Sequence, residues 1–188
     1  IIAKWCPLSG VVSLGFGTPF WAELNKTASL IDELQDEIQA DAEKITNHLF
    51  GKTPIIYACD GYKGMAVRFT QQLAENSKML SWHNIIPEMN HNELVGWRTK
   101  NENLAVIFFR NETDHKRNQK RIEINNEVVS KYTSSVMEYW SKGDSMIEKT
   151  FYLINVCDHA SFNLSKLNNV IVEEIEVINY LKGELAKF

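Results

Sequence analysis

Apolar residues recur every three or four positions from Thr27 to Leu49, at Leu30, Ile31, Leu34, Ile38, Ala42, Ile45 and Leu49. A period of about 3.6 residues predicts one long amphipathic helix there. Gly51 and Pro54 stop it, and Pro54 to Cys59 follows as an unbroken apolar run closed by Asp60-Gly61. Short continuous apolarity suits a strand covered on both faces, as in a parallel sheet. Helical spacing returns from Tyr62 to Lys78, and Met79 to Ile86 forms a second strand candidate ended by Pro87. Leu104 to Phe109 carries the strongest strand pattern. A charged, helix-rich stretch runs from Asp114 to Tyr132, then a β-type segment from Ser135 to Trp140. Two more helices are predicted over Ser145 to Leu167 and Val172 to Lys187, the last with Ile175, Ile178, Leu181 and Leu185 on one side. Strands alternating with helices of this length build right-handed βαβ units. The pattern therefore predicts an α/β fold, a doubly wound and mostly parallel sheet flanked by helices. Residues 1–50 read as an N-terminal segment and long helix packing on a domain over 51–188. Ligands bind beyond the carboxyl ends of such strands, which points to the loops after Asp60, Ile86 and Arg110.

Composition narrows the classes. At 188 residues, with 44% hydrophobic and 23% charged residues, the chain matches one soluble globular domain or slightly more. Its 20 Lys and Arg against 24 Asp and Glu give a net charge of −4, which excludes the basic footprint of nucleic-acid binding. No apolar run approaches the ~20 residues of a membrane helix. Cys6, Cys59 and Cys157 form no CxxC or CxxH spacing, so buried reduced thiols in a cytoplasmic protein are expected rather than a metal site. Asn-x-Ser/Thr triplets at Asn25, Asn111 and Asn163 have no secretion signal to give them meaning. The chain opens on Ile1 without an initiator Met, so it is expected to be part of a longer gene product.

Two clusters could carry chemistry. On a helical wheel, Arg68, Gln72 and Glu75 fall within about 60° of one another, beside a sheet-facing arc of Ala66, Phe69 and Leu73. A guanidinium, an amide and a carboxylate thus share one stripe, though a solvated helix side gives the same spacing. The second cluster, Pro87-Glu88-Met89-Asn90-His91-Asn92-Glu93, packs two carboxylates, two amides and an imidazole into seven residues after a strand. Histidine suits proton shuttling near neutral pH. The alternative is a helix cap, with Asn90 or Asn92 capping and Glu93 in the first turn. His48, His83, His115 and His159 have no comparable company. Asp60-Gly61-Tyr62-Lys63-Gly64 hints at a ligand-binding turn but lacks the spacing of a dinucleotide loop. Neither a P-loop nor a G-x-S-x-G elbow is present.

The run Arg68-Phe69-Thr70-Gln71-Gln72-Leu73-Ala74-Glu75-Asn76-Ser77-Lys78, followed by Pro87 to Glu93, resembles the C-terminal sugar-isomerase (SIS) domain of bifunctional phosphoglucose/phosphomannose isomerases. That family carries stretches similar to R-W-x-x-Q-x-N-E-N-A-K and E-x-N-H-N-E, and the sixteen positions from Glu75 to His91 fit its spacing. Asp158 and Ser161 resemble its late D-x-x-S element, and Ile178 to Lys182 its terminal I-x-x-L-K. The resemblance covers about residues 50 to 188 and implies a three-layer α/β/α sandwich. It further implies isomerisation of glucose 6-phosphate or mannose 6-phosphate to fructose 6-phosphate through a cis-enediol, with no cofactor. Glu75 would be the base, His91 would assist ring opening across a dimer interface, and Lys182 would contact substrate. Arg68 and Gln72 would bind substrate. The implied partners are a sugar phosphate, an N-terminal SIS domain of the same protein and a second copy, with no nucleic acid and no membrane. The chain departs from the pattern at Ala74 and Thr70, and Pro7 to Phe20 lacks the family's arginine. The phosphate-binding Ser/Thr loop belongs to the family's other domain. A non-catalytic sugar-phosphate-binding or dimerisation module is the alternative these departures favour.

Overall fold

Four apolar runs become β1 (Thr53–Cys59), β2 (Trp82–Ile86), β3 (Leu104–Arg110) and β4 (Val136–Trp140), all parallel, in the order β2-β1-β3-β4. This is a computed structural model that describes residues 18–188. The helices are α1 (Thr18–Glu33), α2 (Gln35–Leu49), α3 (Lys63–Ser77), α4 (Lys116–Val129), α5 (Met146–Leu167) and α6 (Glu176–Leu185). Side chains alternate across a strand, so the sheet has two apolar faces. Ile56, Ala58, Ala105, Ile107 and Phe109 pack with α2, α3 and α5 in one core. Ile55, Tyr57, Cys59, Val106 and Phe108 pack with Ile122 and Val129 of α4 in the other. The expected α/β/α sandwich is therefore present. Between β2 and β3 no α-helix forms; short tight turns at Glu88–Asn90 and Glu93–Gly96 cover the second face, anchored by buried Met89 and Trp97.

The single helix expected over Thr27 to Leu49 is two helices, and the first begins at Thr18. The break falls at Leu34, where the Gln35 amide donates to the Ile31 carbonyl at 2.9 Å. That carbonyl is the acceptor a continuous helix would reserve for the backbone N–H of Gln35. α5 starts cleanly because Ser145 and Glu148 form a reciprocal capping box. Gly143 enters that box with φ +117, where a Cβ would meet the Glu148 Cβ at 2.6 Å. Cys59 and Cys157 are buried and free, as expected, whereas Cys6 and residues 11–17 of the apolar N-terminal stretch lie outside the described residues. No helix among the described residues is long and apolar enough to cross a membrane.

Deep between α2, β4 and α5, Asp41 accepts hydrogen bonds from Tyr139 at 2.7 Å and Tyr152 at 2.9 Å. Burial by itself would raise its carboxyl, but hydrogen bonds from Lys44 and both phenols, with the charge of Lys142, hold it at about 2. A carboxyl held low stabilises the fold above its unfolded value and loses that contribution as pH falls from about 4 to about 2. Thermal melts of Asp41→Asn and the unaltered protein should therefore converge over this window and stay apart above about pH 5. A constant gap down to the acid limit would remove Asp41 from the acid response.

Candidate active site

α3 forms because Met65, Ala66, Phe69 and Leu73 repeat at helical spacing and find the sheet face. Its other side carries the predicted stripe, with Arg68 and Glu75 exposed and Gln72 half-buried. The stripe meets α5. Arg68 donates to Asp158 through Nε at 3.1 Å and Nη2 at 2.7 Å, a fork-on-carboxylate pair. The Asp158 hydrogen bond in turn pushes the Arg68 guanidinium up. One turn beyond Gln72, Asn76 donates to the Gln72 Oε1 at 2.8 Å and to the Ser161 Oγ at 2.9 Å. Ser77 donates to the Ser161 carbonyl at 2.7 Å. Motif residues some 90 positions apart in sequence thus lock one helix to another.

Glu75 is what this lattice leaves free. Its carboxylate has no hydrogen-bond partner among the described residues and faces solvent. Beyond it, Lys78 caps α3 in the left-handed region at φ 56. Its ammonium donates to the carbonyls of Glu75 at 2.7 Å, Val172 at 3.2 Å and Glu174 at 2.8 Å. The root of α6 is thereby held beside the Glu75 end of α3. Lys182 is exposed on α6, a helix with no buried residue.

His91 is placed elsewhere. It follows the Glu88–Asn90 turn, is exposed, and its ring makes no hydrogen bond among the described residues. The segment bearing it covers the α4 side of the sheet, whereas α3 lies on the other side. Within one chain, then, Glu75, Gln72 and Arg68 come together while the sheet separates them from His91. The neighbouring motif residues serve to hold the segment. Glu93 accepts from Tyr57, from Trp82 Nε1 at 3.0 Å and from Asn84 at 2.6 Å. Burial, reinforced by the Glu93 charge, pushes the Tyr57 phenol far up, so it serves as a donor. Asn92 accepts from the Glu93 N–H at 2.6 Å, which bears out the capping alternative for that residue. Asn90 donates to Asn125 at 2.6 Å. Asn76 was missed as a site residue although its spacing from Gln72 signals a contact on one helix face.

A family model for the bacterial phospho-glucose isomerase C-terminal SIS domain matches residues 38–185. Among relatives, a bifunctional phosphoglucose/phosphomannose isomerase of Caldicellulosiruptor bescii is 29% identical over 187 residues, covering 94% of this chain and 55% of that protein. Its namesake from Aquifex aeolicus is 27% identical over 168 residues, covering 88% of this chain and 52% of that protein. The chain spans about half the length of the relatives it matches. In fold, it is similar to a glucose-6-phosphate isomerase like protein from Thermus thermophilus, with TM-score 0.56 and 17% identity over 70% of this chain and 42% of that one. The parallel sheet, the α3–α5 lattice and the matched span agree: the chain belongs to the bacterial phospho-glucose isomerase C-terminal SIS domain family.

Proposed function

We propose that this chain supplies the proton-transfer half of an aldose–ketose isomerase acting on glucose 6-phosphate or mannose 6-phosphate and fructose 6-phosphate. The observation that carries the reading is the free Glu75 carboxylate beside a stripe whose other polar groups are fixed by Asp158 and Ser161. A solvent-facing carboxylate without a hydrogen-bond partner is placed to accept a proton from a substrate carbon. In the forward step it takes the proton from C2 of the open-chain aldose while the C1 carbonyl oxygen gains one, giving the cis-enediol. Return of the carboxylate's proton to C1, with loss of the O2 proton, completes the ketose. Charge developing on the enediolate oxygens needs a cation, and Lys182 is available on the helix rooted beside Glu75. His91 opens the ring in the site of a second copy, since its own sheet stands between it and its own Glu75. The phosphate is held by the portion of the longer relatives that this chain does not span.

Proton shuttling by an exposed acid predicts exchange with solvent. Fructose 6-phosphate incubated in heavy water with the intact protein should yield glucose 6-phosphate or mannose 6-phosphate carrying deuterium at C2, read by mass spectrometry. Aldose formed without deuterium would point to direct hydride transfer and sink the reading.

A further inference from the structure

Seven buried side-chain polar atoms among the described residues lack a hydrogen-bond partner, and five of them lie at or just past the carboxyl ends of β3 and β4: Arg110 Nε, Asn111 Oδ1 and Nδ2, Asp114 Oδ2 and Ser141 Oγ. Native folds leave few such groups, so a local concentration of them calls for something to satisfy it. Three groups belong to the α5 side. Ala105, Ile107 and Phe109 of β3 face α3 and α5, and the alternation carried one step on puts Asn111, fully buried, on that side. Met137 and Tyr139 do the same for β4, putting Ser141 there, and the Ser141 N–H donates to the Arg110 carbonyl, which joins it to the Asn111 peptide.

The third group is a cation. Lys149 is only 5% exposed over the whole residue, its ammonium is not among the atoms sealed from solvent, and no described residue accepts a hydrogen bond from that ammonium or forms an ion pair with it. Tyr139 and Tyr152 touch through their hydroxyls at 3.1 Å. From that contact, Ser141 lies two residues toward the carboxyl end of β4, and Lys149 lies one turn toward the amino end of α5. Both steps are about 5 to 7 Å, which places Ser141 and Lys149 at the same edge of the layer between β4 and α5. The N-terminus of α3 has no side-chain cap, and a Cβ added at Gly64 would meet nothing within 4 Å. Met146 reaches within 3.1 Å of where a Gly61 Cβ would stand, which brings the start of α5 over this same loop. Asp60 is exposed there, and Asp114 sits toward Cys59 on the other side of the sheet.

An ammonium at the end of a largely buried stem, with no carboxylate paired to it, can take its counter-charge from a ligand. Lys149, the Asn111 amide and the Ser141 hydroxyl all donate, and the sheet changes winding direction between β1 and β3, where α/β folds take ligands. We propose that this end of the sheet is an oxyanion site that takes a phosphate group on Lys149, Asn111 and Ser141. It lies about 18 Å along α3 from Glu75, at about 1.5 Å per residue, and does not depend on the isomerase reading.

The test is a titration of the intact protein, with its asparagine side-chain amides isotope-labelled, by inorganic phosphate, fructose 6-phosphate and uncharged fructose. Both phosphates should saturably shift the Asn111 amide resonance, and fructose should not. Equal affinities assign the phosphate group alone; tighter sugar-phosphate binding assigns the monoester. Lys149→Met should weaken phosphate at this site by about tenfold or more. Without phosphate that variant should melt within about 2 °C of the original, because the ammonium makes no hydrogen bond or ion pair whose loss would cost stability. An Asn111 amide unmoved by millimolar phosphate, or moved equally in Lys149→Met, overturns the site. So does a crystal structure grown in phosphate with only water bridging these groups. If Lys149→Met does not fold, the wild-type titration alone decides.

Discussion

Glu75→Gln in the intact protein should lower kcat for fructose 6-phosphate by about a hundredfold to ten-thousandfold, the range general-base contributions cover. The exchange keeps the side chain's size and its solvent setting but removes the capacity to hold a proton. KM should change little, because the lattice proposed to face substrate is made by Arg68, Gln72 and Asn76 with α5 and does not involve the Glu75 side chain. Thermal stability should be unchanged for the same reason. The measurement is a coupled assay for glucose 6-phosphate, repeated with a mannose 6-phosphate readout. Turnover within about tenfold of the unaltered protein would move the base elsewhere. An inert unaltered protein would favour the non-catalytic alternative, a sugar-phosphate-binding or dimerisation module.

The largest expected stability loss follows Phe109→Ala. The ring is fully buried at the centre of the α2/α3/α5 face. It meets Phe69 of α3 edge-on at 6.2 Å and Tyr139 of β4 at 6.0 Å. Removing it leaves a cavity that α3, β3 and β4 cannot all close together, since β3 is paired on both edges. Losses of about 3–5 kcal/mol are typical of such truncations. In a chain of this size that means a fall in Tm of roughly 10 °C. Phe109→Leu, which refills most of the volume, should recover more than half of the loss. A Tm within about 2 °C of the original for Phe109→Ala would place the cooperative core elsewhere.

The layers were legible because burial leaves a periodic trace. Pro54 to Cys59 and Leu104 to Phe109 are apolar at every step because both sheet faces are covered, and they became β1 and β3. The break at Leu34 was not legible, since it turns on one Gln35 amide bonding locally in a stretch whose apolar period runs straight through. The Arg68-Gln72-Glu75 stripe was legible as a shared helix face. That Arg68 and Asn76 would be engaged by Asp158 and Ser161 was not, because no local rule brings residues so distant into register. Lys149 was hidden for a different reason. A lysine within Glu148-Lys149-Thr150 reads as solvated helix surface, and only the packing of α5 shows that its stem is buried.

Glu93 is gripped by three donors from two strands, and His91 stands just two residues before it. The imidazole is therefore carried on a leash of roughly 7 Å, anchored to the sheet rather than to a mobile loop. Such a leash permits small corrections of aim but no long excursion, so whatever His91 serves must be brought to it by the approach of another surface. On the function proposed above, the tightness of one carboxylate's grip sets how closely two copies must fit for the histidine to act.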